Sequence, residues 1–210
     1  MKALIVSAAV TMFAATAASA ATLKPFTSIT ADSVAINLGS SADNAINQSG
    51  LMPGYSEGDD FDAYVAGTLH SFETDTEYFS AVNAGTAVLT MGFDSVIELE
   101  KLGVFNENAQ GAGIVDFEVS TDGITYTSIG TLFTTPGSPR TDYSADVFTF
   151  APVMAQFVRA TLSDCGNYCA VGEIIAGVTP IPLPATLPLM LAAGAGFVVL
   201  RRRKSAAIAA

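Results

Sequence analysis

The sequence predicts an all-β protein, an antiparallel β-sandwich, on three observations. Apolar residues recur with period two through the middle of the chain. Gly-, Asn- and Pro-rich turns separate the alternating runs. No ten-residue stretch between the two ends carries helical periodicity.

The elements follow in order. In SVIELEKL, Ile97 and Leu99 oppose Glu98 and Glu100, and a polar, Gly-rich turn from Asn106 to Gly113 ends the run. In IVDFEVS, Val115, Phe117 and Val119 share one face while Asp116, Glu118 and Ser120 share the other. Asp122-Gly123 then marks a hairpin, and Pro136-Gly137-Ser138-Pro139 forbids regular structure. DVFTF sets Phe148 and Phe150 on one face, and in QFVRATL the residues Val158, Ala160 and Leu162 oppose Phe157, Arg159 and Thr161. Residues 21–179 read as one sandwich, long enough to bury a core without a metal or several disulfides.

Charge is segregated. Five of the nine cations lie in the terminal segments, whereas all twenty acids fall between Asp32 and Glu173. Over 21–179, four cations against twenty acids leave −16. Nucleic-acid binders gain affinity by neutralising phosphates with Lys and Arg, so this balance excludes a nucleic-acid partner. It suits an extracellular setting, where an acid-rich surface stays soluble and attracts divalent cations.

The two cysteines, Cys165 and Cys169, stand in CGNYC. Zinc needs about four ligands, and His70 is the only histidine. The pair reads as a local structural disulfide pinching a Gly-Asn turn. Gly54-Tyr55-Ser56-Glu57-Gly58 fits G-x-S-x-G, but Met52-Pro53 before it and Asp59-Asp60-Phe61-Asp62 after it do not supply the strand and helix that such an elbow requires. No catalytic residue is expected. Glu73, Asp75 and Glu77 would share one face of an extended run and are read as a solvated edge. For sugar binding, which needs aromatic faces beside polar groups, the candidates are Tyr55, Tyr64 and Tyr78, with Phe61 and Phe72 read as partly core.

The order of these pieces resembles a discoidin-type domain, the coagulation factor V/VIII type C relatives of the galactose-binding jelly roll. SADNAINQSGL is similar to that family's early loop, TAVLTMGFDSVIELEKLGVFN to its paired strands, DFEVSTDGITYTSIG to its Asp-Gly hairpin, and QFVRATLSDCGNYCAVGEIIAGV to its closing strands. The likeness covers about Ser41 to Val178 and departs in having Asn47-Gln48 for Asp-Gly and no tryptophan. It implies a structural Ca²⁺, held through oxygen atoms of Asn44 or Asn47 and of Glu173; the sandwich itself is expected to bind carbohydrate, with its loops as the contact surface.

The two ends are apolar. Met1–Ala20 has an early cation (Lys2), an apolar run and an Ala18-Ser19-Ala20 close, the pattern of a signal peptide cleaved before Ala21. Residues 180–186 form a Pro-rich linker, and 187–200 form a single transmembrane helix of fourteen residues, where a full span takes about twenty. Arg201, Arg202, Arg203 and Lys204 act as a basic cytoplasmic stop within the tail 201–210. Ile181-Pro182-Leu183-Pro184-Ala185, an apolar helix and a basic cluster together resemble the VPLPA-CTERM sorting signal, a relative of PEP-CTERM. The resemblance implies an exosortase partner in a Gram-negative bacterium. It also implies an inner-membrane intermediate, then a cell-surface or extracellular protein of the biofilm matrix that contacts polysaccharide.

Overall fold

The computed structural model describes residues 20–34, 40–134 and 140–180. The signal peptide, the sorting motif, the apolar tail and the Pro136–Pro139 turn lie outside the described residues, and among those described no helix is long and apolar enough to cross a membrane.

The chain runs β1 (Thr22–Lys24), β2 (Ser28–Ala31), β3 (Leu51–Met52), helix α1 (Phe61–Gly67), β4 (Leu69–His70), β5 (Tyr78–Phe79), β6 (Ala87–Asn106), β7 (Ile114–Ser120), β8 (Thr127–Phe133), β9 (Asp146–Ser163) and β10 (Ala170–Val178). The main sheet has the order β1-β10-β6-β9-β7-β8, with β2 added on β6 and β5 on β10; β3 and β4 pair separately. Every one of these pairings is antiparallel.

Two long strands make this one sheet into a sandwich. Ala87–Gly92 of β6 pairs with β2 and with the end of β9, whereas β6 from Leu99 onward pairs with β10 and with the start of β9. Between Gly92↔Phe157 and Ile97↔Ala155 four residues of β6 face only Gln156, a bulge that turns the pair from one layer into the other. A second irregularity falls between Leu99 and Lys101, where Pro152 sits in β9 without breaking a regular ladder. The core between the layers contains Leu89, Met91, Leu102, Val104, Phe117, Val158, Leu162 and Ile174, all fully enclosed. Each such side chain contributes about 1.5–3 kcal/mol by leaving water. Cys165 and Cys169 are joined, with Cα atoms 5.1 Å apart, and close the turn from β9 to β10.

The outer faces of the layers differ. Residues 41–80 fold over one of them and build a smaller core with Leu23, Leu51, Tyr55, Phe61, Phe105 and Ile175. Helix α1 is held by Asp60, whose carboxylate accepts the Ala63 N–H at 2.8 Å. Its Phe61 ring rests on Gly103 and Gly177, where an added Cβ would come within 3.4 and 2.8 Å. The other outer face stays open. Thr30, Thr90, Arg159, Glu118 and Ser128 form a row across five strands and are exposed or half-buried.

Candidate functional site

The loop from Ile46 to Asp60 sets the sequence-predicted residues in place. Gln48 adopts φ +64, a left-handed conformation that lets the chain reverse over β10. Its N–H donates to Glu173 Oε2 at 3.0 Å, and its side-chain oxygen accepts the Tyr55 N–H at 2.8 Å. Tyr55 meets Tyr64 of α1 edge-on, with ring centroids 5.3 Å apart, and the Tyr64 hydroxyl donates to Pro53 O at 2.7 Å. Two of the three candidate tyrosines are therefore adjacent. Tyr64 is half-buried and raised to about 12, first by burial, while Tyr55 is 8% exposed, so Tyr64 carries the accessible surface of the pair.

Tyr78 is a correction. It is fully buried in β5, belongs to the main core and donates its hydroxyl to Ser33 O, so its ring offers no face to a sugar.

Asn44 and Asn47 spend their side chains on the covering segment. Asn44 Nδ2 donates to the carbonyls of Asp75 and Glu77 at 3.1 and 3.0 Å, and Asn47 Oδ1 accepts the Ser49 N–H at 2.8 Å. Glu173 is fully buried, which pushes its carboxyl well above the usual range, and only its Oε1 is left without a partner. Calcium takes six to eight oxygens. Among the described residues no group of three or more His, Cys, Asp or Glu could hold a metal ion, and of these three side chains Glu173 offers the unpartnered oxygen, Oε1, that would meet one.

A second buried polar cluster lies under the same segment. His70 stacks on Tyr143 at 5.2 Å, places Nδ1 2.7 Å from Ser71 O, and is packed so closely that a Cβ on Gly50 or Gly172 would come within 2.6–2.7 Å of its ring. Burial lowers its pKa. Tyr143 donates to Glu77 Oε1, and Glu77, fully enclosed, is pushed up to about 8, chiefly by burial. Glu77 is a second correction. Thr74–Thr76 form a 3-10 turn rather than an extended edge, and the turn carries Glu77 inward while Glu73 and Asp75 stay exposed. Ser56 sits in a loop, its N–H bonded to Asp59 Oδ2, with α1 starting only at Phe61; no strand-turn-helix elbow exists there.

An open groove of about 690 Å³ runs beside β1, lined by Leu23, Ile97, Val178 and Met154 and rimmed by Lys24 and Glu57. Lys24 pairs with Glu57 at 2.9 Å and with Asp94 at 3.2 Å, which raises its pKa and closes one rim. No aromatic ring lines the groove.

No protein-family model matches the chain, and no curated protein matches it in sequence. Solved structures do match its fold. CBM32-3 from a family 31 glycoside hydrolase of Clostridium perfringens is 16% identical, with a TM-score of 0.53 over 75% of this chain and 95% of that one. CpGH89CBM32-5, from the same organism and in complex with GalNAc-β-1,3-galactose, is 14% identical, with a TM-score of 0.52 over 71% of this chain and 93% of that one. Chitosan-binding module 1, derived from the chitosanase/glucanase of Paenibacillus sp. IK-5, is 20% identical, with a TM-score of 0.51 over 72% and 95%. At such identities the likeness is one of fold. The body is a discoidin-like jelly roll.

Proposed function

We propose that the chain is an exported, non-enzymatic surface or matrix protein whose jelly roll binds carbohydrate. The observation that carries this reading is the likeness of about three quarters of the chain to solved carbohydrate-binding modules. The leader at residues 1–20 would deliver the body across the inner membrane. The tail from Ile181 to Lys204 would hold it there until an exosortase removes it.

The full chain, immobilised from detergent, is expected to bind at least one neutral polysaccharide on a glycan array. Absence of any glycan binding, together with Ca²⁺-dependent self-association, would overturn this reading in favour of a purely structural matrix protein. Mass spectrometry of the exported protein tests the sorting step: a mature chain that still ends in Ala210 refutes removal of the tail.

A further inference from the structure

Resting on the carbohydrate-binding reading, we infer that the glycan site lies on the open outer face of the sandwich, around Phe157, and takes a neutral polysaccharide chain laid across the strands. The Tyr55–Tyr64 pair would then be a packing feature.

The inference begins with the hairpin after β7. Ser120 Oγ donates to Asp122 Oδ1 and accepts the N–H groups of Asp122 and Gly123, while Asp122 Oδ1 also accepts the N–H groups of Ile124 and Thr125 at 2.8 and 2.9 Å. These bonds hold Asp122 below the usual carboxylate range and fix the loop. Gly123, at φ +72, is thereby laid beside the Phe157 ring, and Gly92 flanks the ring from the neighbouring strand. A Cβ on either glycine would come within 3.2–3.3 Å of ring carbons, so only glycine at both positions admits the half-buried Phe157 ring between them at the sheet surface. The same loop brings Tyr126 against the Arg159 guanidinium at 4.1 Å. Arg159 in turn donates from Nε and Nη2 to Glu118 Oε2, both at 2.7 Å.

The result is a fixed platform. One aromatic ring suits the C–H face of a pyranose. Beside it an ordered Arg–Glu pair and the hydroxyls of Thr90 and Thr161 offer donors and acceptors to sugar hydroxyls. Five strands at about 4.8 Å spacing give a face about 19 Å across, room for several sugar rings in a row. Ligand charge follows from the same residues. Arg159 is already neutralised by Glu118, Asp116 stands in the next row, and the body carries four cations against twenty acids, so a polyanionic glycan would be repelled. Because the groups are held before binding, little ordering is lost when a chain settles on them.

The test uses the full chain in detergent and β-linked hexasaccharides of glucose, mannose and galactose as probes. Calorimetry on the unmutated chain, Phe157→Ala and Tyr64→Ala is read beside amide chemical-shift mapping on the unmutated chain. We expect Phe157→Ala to weaken binding at least tenfold and Tyr64→Ala to change it less than twofold. Shifts should be confined to β9, β7 and the Asp122–Tyr126 loop, and affinity should not change at high salt. Shifts clustering at Tyr64, or binding lost with Tyr64→Ala and kept in Phe157→Ala, would overturn the placement while leaving carbohydrate binding intact. If none of the probes binds and the glycan array is blank as well, the functional reading falls and the placement with it. Should Phe157→Ala fail to fold, the shift map on the unmutated chain decides alone.

Discussion

The two outer faces of the sandwich share the long strands β6 and β9 and have opposite fates. On one, residues 41–80 lie over β10 and the second half of β6, and both sides of the sheet become core. Ala170 to Gly177 of β10 are buried without a break, as are Leu102 to Asn106 of β6. On the other, β9, β7 and the first half of β6 alternate between core and solvent. The covered face has to satisfy polar groups it encloses, and it does so incompletely: Tyr55 OH, His70 Nε2, Glu77 Oε2 and Glu173 Oε1 all lack partners. The open face encloses none of these atoms and keeps Arg159 paired with Glu118 at the surface. Stability should therefore depend steeply on the covered face, and recognition on the open one.

The sharpest way to break that contrast is to hollow out the covered face. Phe61 is fully buried and bridges α1 to Gly103 and Gly177. Phe61→Ala should cost about 3–5 kcal/mol, since the glycines beneath it cannot fill the cavity. The matching truncation on the open face, Thr161→Ala, should stay within about 0.5 kcal/mol. Urea unfolding of the two variants gives both numbers, and equal losses would dissolve the distinction between the faces.

Acidity separates the faces next. Burial raises Glu77 from its ordinary 4.5 to about 8, so between those values the folded chain holds a proton that the unfolded chain has released. Its contribution is full below about 4.5 and declines as pH rises through about 8. The melting temperature should fall across that window. Glu77→Gln, which keeps a partner for the Tyr143 hydroxyl, should lessen the fall, and the part that remains should vanish when Glu173→Gln is added, because burial raises Glu173 in the same direction. A fall unchanged by Glu77→Gln would place the titrating group elsewhere.

The same contrast explains what the sequence disclosed. On the open side the alternation of Val115, Phe117 and Val119, and of Val158, Ala160 and Leu162, was legible because only one side of each strand is buried. In Leu102–Asn106 the period vanishes because both sides are enclosed, so the union of SVIELEKL with its neighbours into one twenty-residue strand could not be read. Helix α1 spans seven residues, too few to show periodicity, and its only advance signal was the Asp60 cap with Asp62 in the first turn. Tyr78 resembles Tyr55 and Tyr64 in sequence, and only its pairing with Val171 of β10 turns it into core. The alternation separates Phe157 and Arg159 from the buried Val158, Ala160 and Leu162, and the fold turns the face of Phe157 and Arg159 outward. What singles them out is the approach of Gly123 and Tyr126 from another part of the chain, a tertiary fact with no local signature.

The smallest effect is expected where the open face looks most built. Arg159 and Glu118 are each about a third exposed, at 33% and 30%, so solvent screens the pair and its contribution to stability is about 1 kcal/mol or less. Arg159→Lys keeps the charge but loses the planar fork to Glu118 and the flat stack on Tyr126, and should cost about 0.5–1 kcal/mol. A double-mutant cycle with Glu118→Gln measures the coupling directly. Coupling well above about 1 kcal/mol would mean that this face, too, is organised for stability, and the reason for reading it as a recognition surface would weaken. Coupling near zero, with the hairpin still fixed by Asp122, would leave the Arg–Glu pair ordered but contributing little to folding. A surface that is rigid without being needed for the fold is one whose order is free to serve a ligand.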